Sequence, residues 1–293
     1  MDKVNESRKQ YKVLARAFSF LQMHHREEYI AEILLQYYLE VDRAAFYTMM
    51  QEEVPKRVYE KFQTALHAHA TTGIPVQHLT GYEEFFGRTF HVNKDVLIPR
   101  METEELVALV MEQVKEKYSH TSVTIADIGT GSGIISTTLA LELPQATVYA
   151  TDISKAALTV AAENAERLQA SVQFMQGNFV QPFIDKSIKI DVVVSNPPYI
   201  SEQERVYLSD TVKNFDPALA LFAREKGLAA YREILSQLKK SIAQPQMIFF
   251  EIGYKQKDDV IALSRYFFPK SYVQCIQDMN GHDRIIAIFL SIV

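Results

Sequence analysis

The sequence contains little cysteine, no long apolar run and no excess of positive charge. Its one cysteine, Cys275, cannot form a disulfide within the chain, which excludes an internally disulfide-stabilised fold and favours the cytosol as the compartment. The first ten residues, MDKVNESRKQ, lack an apolar signal segment, and no uninterrupted apolar run approaches the roughly 18 residues that a membrane helix needs. We therefore expect a cytoplasmic protein that neither enters nor crosses a membrane.

The charge balance argues against a nucleic-acid partner. The chain carries 31 Lys and Arg against 36 Asp and Glu, so its formal net charge at pH 7 is −5. A protein whose main ligand is nucleic acid is expected to present a basic face. No metal site is expected either, because the spacings of His24 with His25 and of His67 with His69 diverge on a helix.

The 293 residues divide into three stretches by pattern. Residues 1–76 have apolar side chains at helical spacing, and their ten basic and ten acidic residues cancel, which predicts a small helical domain without a basic stripe. Residues 77–98 contain Phe and Val punctuated by glycine and by Asn-Lys-Asp, which predicts a β-hairpin linker. In residues 99–293 strand and helix patterns alternate, which predicts an α/β domain.

Seven strands are expected in that α/β domain, with the last two forming an antiparallel hairpin at one edge of a doubly wound, mainly parallel sheet. They cover residues 122–129, 146–152, 171–177, 189–195, 246–253, 271–277 and 284–290. Helices are expected between most of them. In such a sheet, ligands bind at the carboxyl ends of the strands.

A glycine-rich loop follows the first of these strands. Gly129, Gly131 and Gly133 permit a tight turn and let a ligand approach bare backbone. Position 134 is isoleucine, so the dinucleotide pattern G-x-G-x-x-G is broken, and G-x-G-x-G suits a cofactor without a pyrophosphate. Asp152 ends the second strand, where it could accept two ribose hydroxyls or could merely cap a helix.

Two further strand ends carry candidate ligand groups. Asn178 and Phe179 follow the third strand, where they could contact the edge and face of an adenine. The fourth strand, DVVVS, runs into Asn196, Pro197, Pro198 and Tyr199. Two prolines cannot donate ladder hydrogen bonds, so the strand must stop there, either as a plain turn or as a rigid binding loop.

These motifs together resemble a known family. DIGTGSG with Asp152 is similar to the cofactor motifs of class I S-adenosylmethionine-dependent methyltransferases, which implies that Thr130 and Ser132 also contact that cofactor. SNPPYI resembles the motif of methyltransferases that act on planar, conjugated nitrogens. With VLIPRMETEELV, FEIGYKQ and GHDRIIAIF it makes the chain similar, over nearly its whole length, to the release factor glutamine methyltransferases of the PrmC/HemK family.

The resemblance implies a Rossmann-like seven-stranded domain behind a small helical domain, and methyl transfer to the glutamine of the Gly-Gly-Gln motif of peptide chain release factors. Asn196 and the Pro197 carbonyl would hold the two N–H bonds of the target amide, and the Asn196 NH2 could hold its carbonyl. Pro198 would stiffen the loop and Tyr199 would cover the planar group. The front helices would grip the release factor.

Three further features of the sequence have more than one interpretation. Arg100 is expected to bind the substrate from the loop where a helix begins. That loop could instead close over the methionine end of the cofactor, and Glu102 or Thr103 could only cap the helix. Met101 and Asn178 depart from the family pattern, although the Asn178 carbonyl can still accept the adenine amine. An N6-adenine methyltransferase is the main alternative, since adenine presents a similar planar amine, and a binding module without activity is a weaker one.

Overall fold

The computed structural model describes residues 7–119 and 121–290, which form two compact units. One unit contains the chain up to Gly81 together with Asp210–Phe215, and the other contains Tyr82–Ser209 and Asp216–Val293. Among the described helices, none combines the length and apolar character that crossing a membrane takes.

The first unit is helical, as expected. Its helices are α1 (Gln10–Met23), α2 (Tyr29–Leu39), α3 (Arg43–Thr48), α4 (Lys56–Thr72), α5 (Val76–Thr80) and, from the distant segment, α10 (Asp210–Phe215). Apolar residues spaced three and four apart form one buried cluster that includes Val13, Leu34 and Phe62. Arg26 pairs with both carboxylate oxygens of Asp210, at 3.0 and 2.8 Å, and so holds α10 within this unit.

The second unit opens with the hairpin that the sequence predicts, formed by β1 (Tyr82–Phe85) and β2 (Arg88–His91). Its two turn residues, Phe86 and Gly87, have φ of 52° and 69°, and turns with positive φ match the right-handed twist of the flanking strands. After the hairpin, the chain runs without regular structure to the first helix of the α/β domain.

The α/β domain alternates strands and helices in chain order. Its strands are β3 (Val123–Ile128), β4 (Ala146–Asp152), β5 (Val172–Gln176), β6 (Val192–Ser195), β7 (Met247–Glu251), β8 (Tyr272–Gln277) and β9 (Asp283–Phe289). Its helices are α6 (Met101–Lys117), α7 (Ile134–Glu142), α8 (Lys155–Arg167), α9 (Gln181–Asp185), α11 (Ala218–Leu221), α12 (Ala229–Lys240) and α13 (Lys257–Phe267).

Within the described residues the sheet has seven strands in the order β5-β4-β3-β6-β7-β9-β8. Strands β3 to β7 are parallel, whereas β9 runs antiparallel between β7 and β8. This confirms the expected fold, including the antiparallel hairpin at one edge. The chain moves outward from β3 through β4 to β5 and then returns to β6 on the other side, so the carboxyl ends of β3 and β6 border a topological switch point.

Both faces of the central strands are buried, which explains their unbroken apolar sequences. Every residue of β6 and of β7 is buried, and separate apolar clusters cover the two faces of the sheet. Two charged side chains nevertheless lie inside these strands. Asp127 in β3 is 0% exposed and Glu251 in β7 is 2% exposed. A buried carboxylate needs hydrogen-bond partners, and those partners lie in the glycine-rich loop and in the first turns of α6 and α7.

Candidate active site

A cavity of about 670 Å³ lies at the carboxyl ends of β3 to β6. Most of the residues that the sequence nominates line it. They are Arg100, Thr103, Gly129, Thr130, Gly131, Ser132, Asp152, Asn178, Phe179, Asn196 and Pro198. Gly133, Pro197 and Tyr199 are not among the lining residues. The structure therefore gathers the ends of four strands, separated by up to 67 positions between Gly129 and Asn196, around one space.

The glycine loop presents bare backbone to this cavity. The N–H groups of Gly129 and Thr130 both donate to the Thr151 carbonyl, at 2.8 and 2.9 Å, which ties the loop to the end of β4. Gly129 and Gly131 have φ of 75° and 55°, and a Cβ added to either would meet no atom within 4 Å. Both positions therefore require glycine for conformation, and the open space beside them is room for a ligand.

Gly133 serves packing rather than the cavity wall. Its φ is 81°, and an added Cβ would lie 3.0 Å from the backbone and side chain of Ala161 on α8. The buried Asn164 side chain on the same helix supports this contact, because its NH2 donates to the carbonyls of Ser132 and His91 while its oxygen accepts the His91 N–H. Sequence reasoning missed Asn164, since no local pattern marks it.

Asp127 lies beneath the glycine loop and holds it in shape. Its carboxylate accepts the Thr130 hydroxyl at 2.5 Å and the Ser136 N–H at 3.1 Å. Burial raises the pKa of Asp127 to about 6, although the Thr130 and Ser136 hydrogen bonds oppose the shift. Asp127 is the first residue of the DIGTGSG motif, but the sequence assigned no separate role to its side chain.

Asp152 joins the glycine loop to the start of α8. One carboxylate oxygen accepts the Gly131 N–H at 3.0 Å and the other accepts the Ser154 N–H at 2.8 Å. Burial raises its pKa, against the pull of these backbone N–H groups. The helix cap is supplied by the Ser154 side chain, which accepts the Ala157 N–H. Each Asp152 oxygen retains a lone pair that can accept a hydroxyl from the cavity.

The third strand end contributes Asn178 and Phe179 to the wall. Asn178 is exposed, so its amide is accessible to a ligand edge. Phe179 has φ of 50°, which is unusual for a bulky residue, and its carbonyl accepts the Thr151 hydroxyl at 2.9 Å. That hydrogen bond fixes the backbone turn that brings the Phe179 ring to the cavity.

The Asn-Pro-Pro-Tyr loop divides its side chains between the cavity and the core. Ser195 donates its hydroxyl to the Ile128 carbonyl at 2.5 Å, and Asn196 and Pro198 face the cavity. Tyr199 instead packs against the apolar cluster beneath the sheet, where burial raises its pKa. Its carbonyl accepts the Gln256 side chain at 2.9 Å, which fixes the loop from below.

The Asn196 side chain is anchored by a buried chain of hydrogen bonds. Its NH2 donates to the Thr103 hydroxyl at 3.2 Å, and that hydroxyl donates to the Glu251 carboxylate at 2.7 Å. Thus one of the two N–H donors of the Asn196 NH2, which the sequence assigned to a substrate carbonyl, is engaged by Thr103. Burial raises the pKa of Glu251 to about 7. Thr103 does not cap its helix. The sequence analysis did not nominate Glu251, although an acidic residue inside the apolar strand MIFFE could have marked it.

Arg100 precedes α6 and lies at the cavity wall. One of its NH2 groups donates to the buried carboxylate of Asp216 at 2.8 Å. Burial raises the pKa of Asp216, whereas the Arg100 charge lowers it. Met101, which departs from the family pattern, is 76% exposed and makes no part of the wall.

Two family models match the chain. The model described as PrmC N-terminal domain matches residues 12–81, and the model described as Methyltransferase small domain matches residues 103–215.

Within the described residues, no group of three potential metal-ligating His, Cys, Asp or Glu side chains lies together.

The chain is also similar to curated proteins named release factor glutamine methyltransferase. The one from Bacillus cereus is 43% identical over 94% of this chain and 97% of its own length. Those from Staphylococcus aureus and Bacillus subtilis are both 40% identical, over 89% and 96% of this chain and 92% and 97% of their own lengths.

Solved structures share the fold at low identity. The human METTL16 catalytic domain in complex with an RNA hairpin has a TM-score of 0.53 and 17% identity over 80% of this chain and 82% of its own. The N-terminal domain of human METTL16 in complex with SAH has a TM-score of 0.51 and 13% identity over 98% of both chains. These likenesses establish the α/β methyltransferase fold.

The cofactor side of the site is testable through Asp152. We expect Asp152→Ala to weaken S-adenosylmethionine binding at least about tenfold, because a ribose would lose an acceptor and the Gly131 N–H would lose its partner. Asp152→Asn, which keeps one acceptor oxygen, should lose less. Asp259→Ala, which removes an exposed carboxylate on α13, is the matched control. Titration calorimetry measures all three, and an unchanged affinity for Asp152→Ala would remove this residue from the cofactor site.

Proposed function

Because the chain belongs to the release factor glutamine methyltransferase family, we propose that it methylates the side-chain amide nitrogen of the glutamine in the Gly-Gly-Gln motif of peptide chain release factors. S-adenosylmethionine is the methyl donor, and the cytoplasm is the proposed location. The observation that carries the proposal is the Asn196 amide, whose NH2 is held by Thr103 so that its oxygen is left for the cavity beside the glycine loop.

The residues of the cavity fit the donor. Gly129 and Gly131 offer backbone without side chains, Asp152 offers acceptors for ribose hydroxyls, and Asn178 with Phe179 offers an edge and a face for adenine. A volume of about 670 Å³ accommodates a ligand of nucleoside size with room for a second group. Bound there, S-adenosylmethionine supplies an electrophilic methyl group on a positively charged sulfur.

The Asn-Pro-Pro-Tyr loop would prepare the nitrogen. An amide nitrogen is a poor nucleophile because its lone pair is delocalised into the carbonyl. If the Asn196 oxygen and the Pro197 carbonyl each accept one N–H bond of the glutamine amide, the lone pair is directed out of the amide plane toward the methyl group. Alignment at near-contact distance removes several kcal/mol of barrier. No general base is needed in this step, since alkylation makes the N–H acidic.

The division of the chain into residues 1–76, 77–98 and 99–293 is also a proposal about function. A single glutamine side chain offers too little surface for selection, so recognition needs contacts elsewhere on the release factor. The helical unit presents Tyr29, Ile33 and Tyr37 at intervals of four along α2, and they are 57%, 40% and 39% exposed. Such a row on one helix face suits a protein partner.

The recognition role is tested on that row. We expect Tyr29→Ser with Ile33→Ser to raise KM for the intact release factor roughly tenfold, as loss of interface anchors does, with kcat and cofactor affinity unchanged. Ile242→Ser is the matched control, because Ile242 is 77% exposed and lies in the other unit. A double variant with the wild-type KM would show that this face does not grip the substrate.

The acceptor role is tested on Asn196. Mass spectrometry of a purified bacterial release factor, incubated with the protein and S-adenosylmethionine, should show one added methyl group on the Gly-Gly-Gln glutamine. Asn196→Ala should slow this transfer about 100-fold or more while cofactor affinity is retained, because the loss is of alignment. Asn280→Ala, an exposed site, is the control.

Two results would contradict the proposal. Equal losses of cofactor affinity and turnover in Asn196→Ala would assign Asn196 to the cofactor or the fold. Methylation of an adenine-containing oligonucleotide in place of the release factor would establish the N6-adenine alternative, which the net charge of −5 disfavours.

A further inference from the structure

We propose that Glu251 and Thr103 are positioning residues that determine which end of the Asn196 side-chain amide faces the substrate nitrogen. The proposal rests on the function proposed above and concerns the control of that same site. Glu251 is buried and does not line the cavity, whereas Thr103 lines it with only 1% of its surface exposed. They act through the amide of Asn196.

The direction of the hydrogen bonds carries the argument. Thr103 has one hydroxyl proton, and at 2.7 Å it is donated to the Glu251 carboxylate. The Thr103 oxygen can then only accept, so at 3.2 Å it selects the NH2 end of Asn196, and the ionised Glu251 carboxylate also attracts that NH2 directly. Thr103 is 1% exposed and Glu251 is 2% exposed, so water does not compete for the bond between them.

Shape alone cannot make this choice. The oxygen and the NH2 of an amide are nearly equal in size, so a side chain turned by 180° would fill the same volume. With the NH2 inward, the Asn196 oxygen is presented to the cavity and can accept an N–H bond from the substrate. With the oxygen inward, the Asn196 NH2 would face the N–H of the substrate amide. Two donors cannot form a hydrogen bond, so the substrate nitrogen would not be held.

Protonation of Glu251 reverses the direction of the hydrogen bonds that link it through Thr103 to Asn196. A neutral carboxyl has its own O–H, which can donate to the Thr103 oxygen. The Thr103 hydroxyl then turns to donate toward Asn196, and the amide oxygen becomes the favoured inward end. The ionised form of Glu251 therefore supports the productive orientation.

The surroundings of Glu251 place this change in the neutral range. Burial raises its pKa to about 7, and the Glu102 charge on α6 adds to the rise. The Thr103 and Asn196 hydrogen bonds and the Arg284 charge on β9 act in the opposite direction. Two phenols also approach this carboxyl, Tyr199 after β6 and Tyr231 on α12, and the raised pKa of each keeps it neutral.

The sign of the pH dependence follows. Because the pKa of Glu251 is raised, the carboxyl loses its proton only near pH 7, so kcat should rise as the pH increases through about 7 and then reach a plateau. In Glu251→Gln this rise of kcat on the acid side of the profile, the acid limb, should be absent, and kcat should be low at every pH. Glu102→Gln removes a neighbouring negative charge and should move the limb to lower pH without removing it.

The Thr103 variants test the relay itself. Thr103→Val keeps the volume and loses the hydroxyl, so kcat should fall roughly 10- to 100-fold, as for a lost hydrogen bond to a charged group. Thr103→Ser keeps the hydroxyl and should recover most of that loss. Because a merely structural role would be relieved by valine and not by serine, the pair remains decisive if Glu251→Gln fails to fold. Calorimetry with S-adenosylmethionine reports whether each variant retains its cofactor site.

A measurement without any release factor separates this proposal from the proposed function. The side-chain NH2 signals of Asn196, assigned by ¹⁵N NMR, should titrate with a midpoint near pH 7 in the wild type and should be flat in Glu251→Gln. If the wild type methylates no release factor but shows this titration, the function is wrong and the relay is right. The proposal is overturned if the signals do not titrate, or if Glu251→Gln and Thr103→Val keep the wild-type pH profile.

Discussion

A carboxylate buried inside an apolar strand must be hydrogen-bonded, and at the ligand edge of this sheet two such carboxylates impose order on the loops around them. Asp127 in β3 accepts hydrogen bonds from Thr130 and Ser136 and thereby shapes the glycine loop. Glu251 in β7 accepts a hydrogen bond from the Thr103 hydroxyl, whose oxygen in turn accepts one from the Asn196 NH2. The donor side and the acceptor side of the proposed reaction thus have the same construction, in which a buried acid organises a loop whose outer groups face the cavity.

This construction explains why both loops can be rigid at the edge of a sheet. A loop that ends a parallel strand has no ladder partner, and without internal contacts it would sample many conformations. Here the backbone is fixed from inside, by the Thr151 carbonyl for the glycine loop and by Gln256 for the carbonyl of Tyr199. Preorganised acceptors cost no rearrangement when a substrate enters, which is what alignment of a weak nucleophile requires.

The sequence predicts the residues at the strand ends better than the buried residues that hydrogen-bond to them. Strand ends and turn residues are local features, so Gly129, Asp152 and Asn196 could be nominated from spacing. The partners of Asn196 could not, because Thr103 and Glu251 are 148 positions apart and meet only in the folded sheet.

Side-chain direction is the other point that the sequence could not decide. Tyr199 was expected over the substrate and is half-buried against an apolar cluster of the core, while Gly133 was expected to touch the cofactor and packs against Ala161. In both cases the tertiary neighbour, not the motif, determines what the residue contacts.

The central claim is that a directed chain of protons from Asn196 to Glu251 presents an oxygen to the substrate. Neutron diffraction from a perdeuterated crystal grown above pH 8 tests it most directly, because it locates the exchangeable deuterons. The Thr103 deuteron should lie on the line to Glu251, and the deuterated nitrogen of Asn196 should lie on the side of Thr103. A Thr103 deuteron pointing to Asn196, with the amide oxygen turned inward, would contradict it.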